Sequence, residues 1–140
     1  MARPHYEILE HTADVGLIAH GRTPAEVFEH TAEGMYALMT DLAALTEREQ
    51  REVRVSAADR EHLLVAWLLE LLFLTETEGL LFRRFAVDLE DGAALRGRAF
   101  GEPFDPGRHE TGVAVKAVTH HLLELREDPD GFHARVLFDI

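Results

Sequence analysis

The sequence contains no cysteine. Disulfides, thiolate metal sites and thiol nucleophiles are therefore excluded, which suits a reducing compartment better than a secreted scaffold. Asparagine is also missing, while serine (Ser56), glutamine (Gln50) and lysine (Lys116) each occur once; thirteen arginines supply the rest of the positive charge. A GC-rich genome or a hot habitat produces such a bias. With one serine, at a strand end, a Ser–His–Asp arrangement has a single weak starting point. Walker A, GxGxxG, GxSxG and HExxH patterns are all missing. The most apolar run, Leu63 to Leu74, is broken by Glu70 and falls short of the roughly 20 residues a bilayer span needs. The opening Met1-Ala2-Arg3-Pro4-His5 leads into no apolar stretch of the signal-peptide kind. These features predict a soluble, cytoplasmic protein with no membrane association and little catalytic equipment.

What is present is acid. Twenty-six Asp and Glu stand against fourteen Lys and Arg, a formal net charge of -12 over 140 residues. Affinity for nucleic acid rests on basic side chains displacing counterions, so this charge argues against strong direct nucleic-acid binding. It permits two other partner classes: a basic protein surface, or cations. Hydrophobic residues make up 46% of the chain, enough for one core, and no linker or repeat divides it. A single domain over 1–140 is expected.

Strand and helix patterns alternate along the chain. Tyr6 to Glu10 and Val15 to His20 read as strands joined by His11-Thr12-Ala13-Asp14. Thr23-Pro24-Ala25-Glu26 is a helix start, with a capping threonine, a proline where its missing N–H costs nothing, and a glutamate able to reach back. Phe28, Ala32, Met35 and Met39 continue at helical spacing. Val53 and Val55 mark a third strand, and Asp59 caps a second helix through Leu63–Leu74. That helix is apolar almost all round, which predicts deep burial or, alternatively, a partner-binding face. Phe85, Val87 and Leu89 alternate; Glu90-Asp91-Gly92 turns the chain, and Leu95 to Phe100 returns. Pro103, Pro106 and Gly107 mark a loop. Val113 to Arg126 reads as one long strand, and Asp128-Pro129-Asp130-Gly131 as a tight turn. In the last strand Phe132, Ala134, Val136 and Phe138 share one face, and His133, Arg135, Leu137 and Asp139 the other. The predicted fold is α+β: six to eight mostly antiparallel strands with two helices packed on one side.

Four polar clusters carry chemical potential: His11-Thr12-Ala13-Asp14; Gly101-Glu102-Pro103-Phe104-Asp105 with His109; Lys116-Ala117-Val118-Thr119-His120-His121; and Phe138-Asp139-Ile140. Asp14, taken alone, is a turn residue. Asp139 stands beside the α-carboxylate expected at Ile140, and like charges held that close favour a bound cation. An arginine partner for Asp139 is the equal alternative. Oxygen donors suit Ca²⁺, Mg²⁺ or Mn²⁺. Zinc is disfavoured: adjacent His120 and His121 would point to opposite faces of a strand, and His11-x-x-Asp14 is only a fragment. Lys116, retained in an arginine-using chain, could be required as a compact ammonium, though a single occurrence is equally a matter of chance.

Together and in order, these pieces resemble the archease family from Tyr6 to Ile140. The matching residues are His11-Thr12-Ala13-Asp14-Val15-Gly16, Leu63-Leu64, Trp67-Leu68, Gly101-Glu102, His109-Glu110, Val115-Lys116-Ala117-Val118-Thr119-His120-His121-Leu122 and Asp139-Ile140. The resemblance implies an archease fold and a divalent ion, Ca²⁺ first and Mg²⁺ or Mn²⁺ next, held by Asp14, Asp139 and Ile140, the last through a main-chain or carboxylate oxygen. It implies that Lys116, His120 and His11 support that site or touch a partner. The implied role is non-catalytic: activation of an RtcB-type RNA ligase, promoting its guanylylation and multiple turnover in tRNA splicing or RNA repair. Two other readings compete, a metal-dependent phosphohydrolase built on Asp14, Asp139 and His11 or His120, and a chaperone-like binder exposing the Leu63–Leu74 helix.

Overall fold

A computed structural model describes residues 4–10, 14–91 and 93–140. The order among these residues is β1 (Tyr6–Glu10), β2 (Asp14–Gly21), α1 (Pro24–Met39), a short 3-10 turn (Leu42–Ala44), β3 (Glu49–Ser56), α2 (Arg60–Glu78), β4 (Leu80–Glu90), β5 (Ala94–Pro103), β6 (Ala117–Asp128) and β7 (Gly131–Asp139). The predicted α+β class with antiparallel strands and two helices holds, with seven strands among the described residues. They divide into two sheets, β1-β2-β7-β6 and β3-β5-β4, every pairing antiparallel. The helices cover one side of each sheet: α1 packs on β2 and β4, and α2 on β6 and β3.

Both helices begin where capping chemistry places them. Thr23 Oγ1 accepts from the Glu26 N–H at 3.1 Å, and Glu26 reaches back to the Arg22 N–H at 3.0 Å. Asp59 Oδ1 accepts from the His62 N–H at 2.8 Å. α2 ends at Gly79, whose φ of 68° is the left-handed geometry that favours glycine at a helix terminus.

The core joins the two helices to the inner faces of both sheets. Leu17, Ala19, Ala134, Val136 and Phe138 meet Phe28, Met35 and Tyr36 of α1, and Leu64, Trp67, Leu68 and Leu71 of α2. Six of the nineteen residues of α2, Leu63, Leu64, Val65, Trp67, Leu68 and Leu71, are buried; Leu69 and Phe73, four residues apart, are the large apolar side chains it leaves exposed. The buried polar ends of the large aromatics are satisfied. The Trp67 indole N–H donates to Phe28 O at 3.0 Å, and the Tyr36 hydroxyl donates to Leu71 O at 3.0 Å. Burial pushes the Tyr36 phenol up, with its Thr75 hydrogen bond opposing. Glycines make room where elements approach closely. A Cβ on Gly97 would lie 2.7 Å from the Trp67 ring, and one on Gly101 would lie 1.8 Å from Leu81 O.

Two readings of strand geometry need correction. The strand predicted from Val113 begins only at Ala117, because residues ahead of it serve α1 instead. Gly112 N–H donates to Met39 O and Val113 N–H to Leu38 O, both at 2.8 Å, satisfying carbonyls at the helix end. The strand is also interrupted: its register with β7 shifts between Thr119 and Glu124, and Leu122 adopts φ 57°. His120 and His121 lie inside this irregularity, so simple alternation does not govern where they point. Gly92 of the predicted β4–β5 turn lies outside the described residues, as do His11, Thr12 and Ala13; Asp91, at φ 44°, carries the turn's left-handed backbone.

Candidate functional site

The first residue of β2 and the last of β7 are both aspartates. The antiparallel register makes Asp14 and Asp139 direct Cα partners. Directly opposed residues share a sheet face, with Cβ atoms roughly 4.5–5.5 Å apart, so the two carboxylates project from one place. The backbone there is well tied: Lys116 N–H donates to Asp139 O at 2.8 Å, and Ala117 is Asp139's partner on β6. Ile140 follows directly and is partly buried. Among the described residues no hydrogen bond or ion pair joins either carboxylate to another side chain, arginine included. Asp14, Asp139, Ile140 and the Lys116 backbone thus converge at one end of the four-stranded sheet. The two aspartates and the Ile140 main chain offer oxygen atoms, the donor type hard divalent cations take, while no group of three or more His, Cys, Asp or Glu among the described residues is arranged to hold a metal ion.

The supporting residues sit differently. The exposed Lys116 lines a cavity of about 370 Å³ with Met39, Leu72, Thr75 and Glu76. His120 faces α2, its ring centroid 5.2 Å from that of His62, which in turn hydrogen-bonds Asp59. The position of His11 lies outside the described residues.

A second polar centre is buried among Glu102, His109 and Arg108. The Glu102 side chain is fully buried, and one of its oxygens, Oε2, accepts from the Thr46 N–H at 2.7 Å and from Arg108 at 2.6 Å. His109 Nδ1 accepts from the Asp105 N–H at 2.8 Å, so the ring proton resides on Nε2, which donates to the same Glu102 oxygen at 3.1 Å. Burial pushes the Glu102 carboxyl up, but the Thr46 amide, Arg108 and His109 outweigh it and hold it at about 2. Its other oxygen, Oε1, is buried with no hydrogen-bond donor; the Arg48 guanidinium lies 3.6 Å away. This network pins the segment before β3 to the end of β5 and the loop after it. Sequence reasoning singled out Glu102 and His109 as a cluster but gave them no role.

A third group, buried His20 and His133 with Glu7 and Asp128, escaped notice. Its one visible trace was the placement of His133 on the same strand face as Asp139.

A two-sheet α+β domain of seven described strands and two helices, with two aspartates opposed at one end of the four-stranded sheet, is the class of protein these elements define. Residues 6–140 match the model of the archease protein family (MTH1598/TM1083). The chain is 37% identical over 136 residues to the protein archease of Sulfurisphaera tokodaii, covering 96% of this chain and 98% of the relative. It is 41% identical over 138 residues to that of Methanothermobacter thermautotrophicus, with 96% and 98% covered. The solution structure of Methanobacterium thermoautotrophicum protein 1598 superposes with a TM-score of 0.87 at 40% identity, covering 97% of this chain and 99% of that one. The chain belongs to the archease family.

Proposed function

We propose that this protein is a non-catalytic, divalent-cation-binding activator of an RtcB-type RNA ligase, promoting guanylylation of the ligase and repeated turnover in tRNA splicing or RNA repair. The observation that carries the cation part is the direct opposition of Asp14 and Asp139 across the β2–β7 pairing. Two carboxylates held together repel, and a hard cation relieves the repulsion. Asp14, Asp139 and an oxygen of Ile140 would hold it, with Ca²⁺ the first candidate and Mg²⁺ or Mn²⁺ the alternatives. The ligase part rests on family membership and on the net charge of -12, which favours encounter with a basic protein surface over RNA itself. No helix of the described residues is long and apolar enough to cross a membrane.

The test uses Asp139→Ala and measures ligation of RNA ends by an RtcB-type ligase under single- and multiple-turnover conditions. The expected result is loss of stimulation in both the guanylylation rate and the number of turnovers. Full stimulation by the variant rejects the role of the carboxylate pair. Phosphate release from RNA ends by the purified protein alone would instead support the hydrolase reading.

A further inference from the structure

Four side chains form one hydrogen-bonded line across the four-stranded sheet, one from each strand in spatial order. Glu7 on β1 meets His20 on β2, with Oε2 to Nε2 at 2.6 Å. His20 meets His133 on β7, Nδ1 to Nδ1, at 2.8 Å. His133 meets Asp128 at the end of β6, Nε2 to Oδ1, at 2.8 Å. Both imidazoles are buried, at 4% and 2% exposed, and His20 and His133 are register partners.

Proton counting limits what this line can be. A carboxylate only accepts, so each Nε2 carries a proton and donates it outward. The Asp128 carboxyl is lowered by its His133 hydrogen bond, against burial, with the Asp130 N–H and Arg126 assisting. Two neutral rings would then present bare lone pairs to each other across 2.8 Å, and two fully protonated rings would present two N–H groups. Both arrangements repel. Only a third ring proton, lying between the two Nδ1 atoms, makes the contact attractive. The pair then carries one positive charge between two negative ones.

The surroundings bring further charge close. Ahead of β1, His5 accepts the His20 N–H through its carbonyl at 2.9 Å, and its ring stacks on His30 at 3.9 Å and meets Glu33. On α1, His30 Nδ1 donates to His20 O. On β6, Arg126 pairs with Asp128 and is the register partner of His133. A cavity of about 430 Å³ opens beside the line, with His20, Arg22, Glu26 and Asp130 on its wall.

We infer that His20 and His133 form a single proton-binding site that clasps β2 to β7, holding one proton between their Nδ1 atoms and opening when a second is taken up or the first is lost. The sign follows from linkage. In the unfolded chain the two rings titrate independently. At low pH the unfolded state binds more protons than the clasped pair, so stability rises with pH there. At high pH the folded pair retains a proton that the unfolded rings have shed, so stability falls again. The clasp sits six residues along the same two strands from Asp14 and Asp139, about 20 Å at 3.3–3.4 Å per residue.

The experiment is a ring ¹⁵N NMR titration of the full-length protein, with urea midpoints measured at each pH. In the wild type, His20 and His133 signals are expected to change together at the same two inflections, the signature of a coupled pair, with the urea midpoint highest between them. In His133→Gln, His20 is expected to show one inflection, the midpoint maximum to vanish, and the unfolding equilibrium constant at that pH to rise about tenfold, the size of one charge-assisted hydrogen bond. If the variant fails to fold, the wild-type ring titration alone decides. Separate single inflections for the two rings overturn the inference. So does a rise in unfolding temperature with equimolar Zn²⁺ that abolishes both inflections, because it would assign the gap to a metal.

Discussion

Replacing Glu102 with glutamine keeps its shape and removes its charge. In the native site one carboxylate oxygen receives three donors: the Thr46 N–H, Arg108 and the His109 Nε2–H. Glutamine can turn its carbonyl toward them, converting three charge-assisted bonds into weaker ones. Hydrogen bonds to charged groups contribute about 1.5–3 kcal/mol and neutral ones about 0.5–1.5. A loss near 1 kcal/mol in each gives a destabilisation of about 3 kcal/mol. The buried Oε1 moderates this, since the native carboxylate already leaves one oxygen without a donor; the new amide hydrogens, however, would face the Arg48 guanidinium 3.6 Å from that oxygen. Glu102→Ala should cost more, about 4–6 kcal/mol, because the Thr46 and His109 donors are stranded and a cavity opens. Urea unfolding followed by circular dichroism reads both values. The difference has a pH signature. A carboxyl lowered to about 2 contributes stability that is fully present above its unfolded value of 4.5 and is lost as pH falls through the folded value. The gap between wild type and Glu102→Gln should therefore be constant from neutral pH down to about 5, then narrow steadily toward 2. A gap below about 0.5 kcal/mol at pH 7, or one that does not narrow with acid, would refute the argument.

Further outcomes follow from geometry. Gly101→Ala places a Cβ 1.8 Å from Leu81 O, a backbone atom that cannot step aside without parting β4 from β5; a loss of about 3 kcal/mol or more by thermal unfolding is expected. Asp59→Ala removes the cap of α2 and the His62 ring contact; a loss of about 1 kcal/mol is expected, with Asp59→Asn recovering most of it. Asp14→Asn should abolish the rise in melting temperature that millimolar Ca²⁺ is expected to give the wild type, since only a cation that prefers the folded state stabilises it; an undiminished rise in the variant places the ion elsewhere.

Much of the architecture was legible because it is written in local rules. Thr23 and Asp59 cap the helices they announce, and the alternation from Phe132 to Asp139 assigns each side chain to its observed face. The strand read from Val113 failed because nothing in that segment's own pattern reveals that its amides are needed at the end of α1. The irregularity at His120 and His121 was hidden for a similar reason: a left-handed leucine at position 122 has no composition cue of the kind glycine supplies. The convergence of Asp14 with Asp139 came from resemblance, and no periodicity could have supplied it, since it depends on which strands become neighbours. Likewise, His20 and His133 lie 113 residues apart, and their pairing becomes visible only once β2 and β7 are aligned.

That alignment has a consequence for how the molecule is made. β7 is the last of the described strands in sequence, yet it fills an interior slot, between β2 and β6. Until it emerges from the ribosome, β2 keeps one open border and has only the five-residue β1 beside it. Nascent chains paused before residue 131 should therefore hold the β3-β5-β4 sheet in protease-resistant form while the other half stays cleavable, and the closing step should be the slow one, as pairings between distant segments generally are.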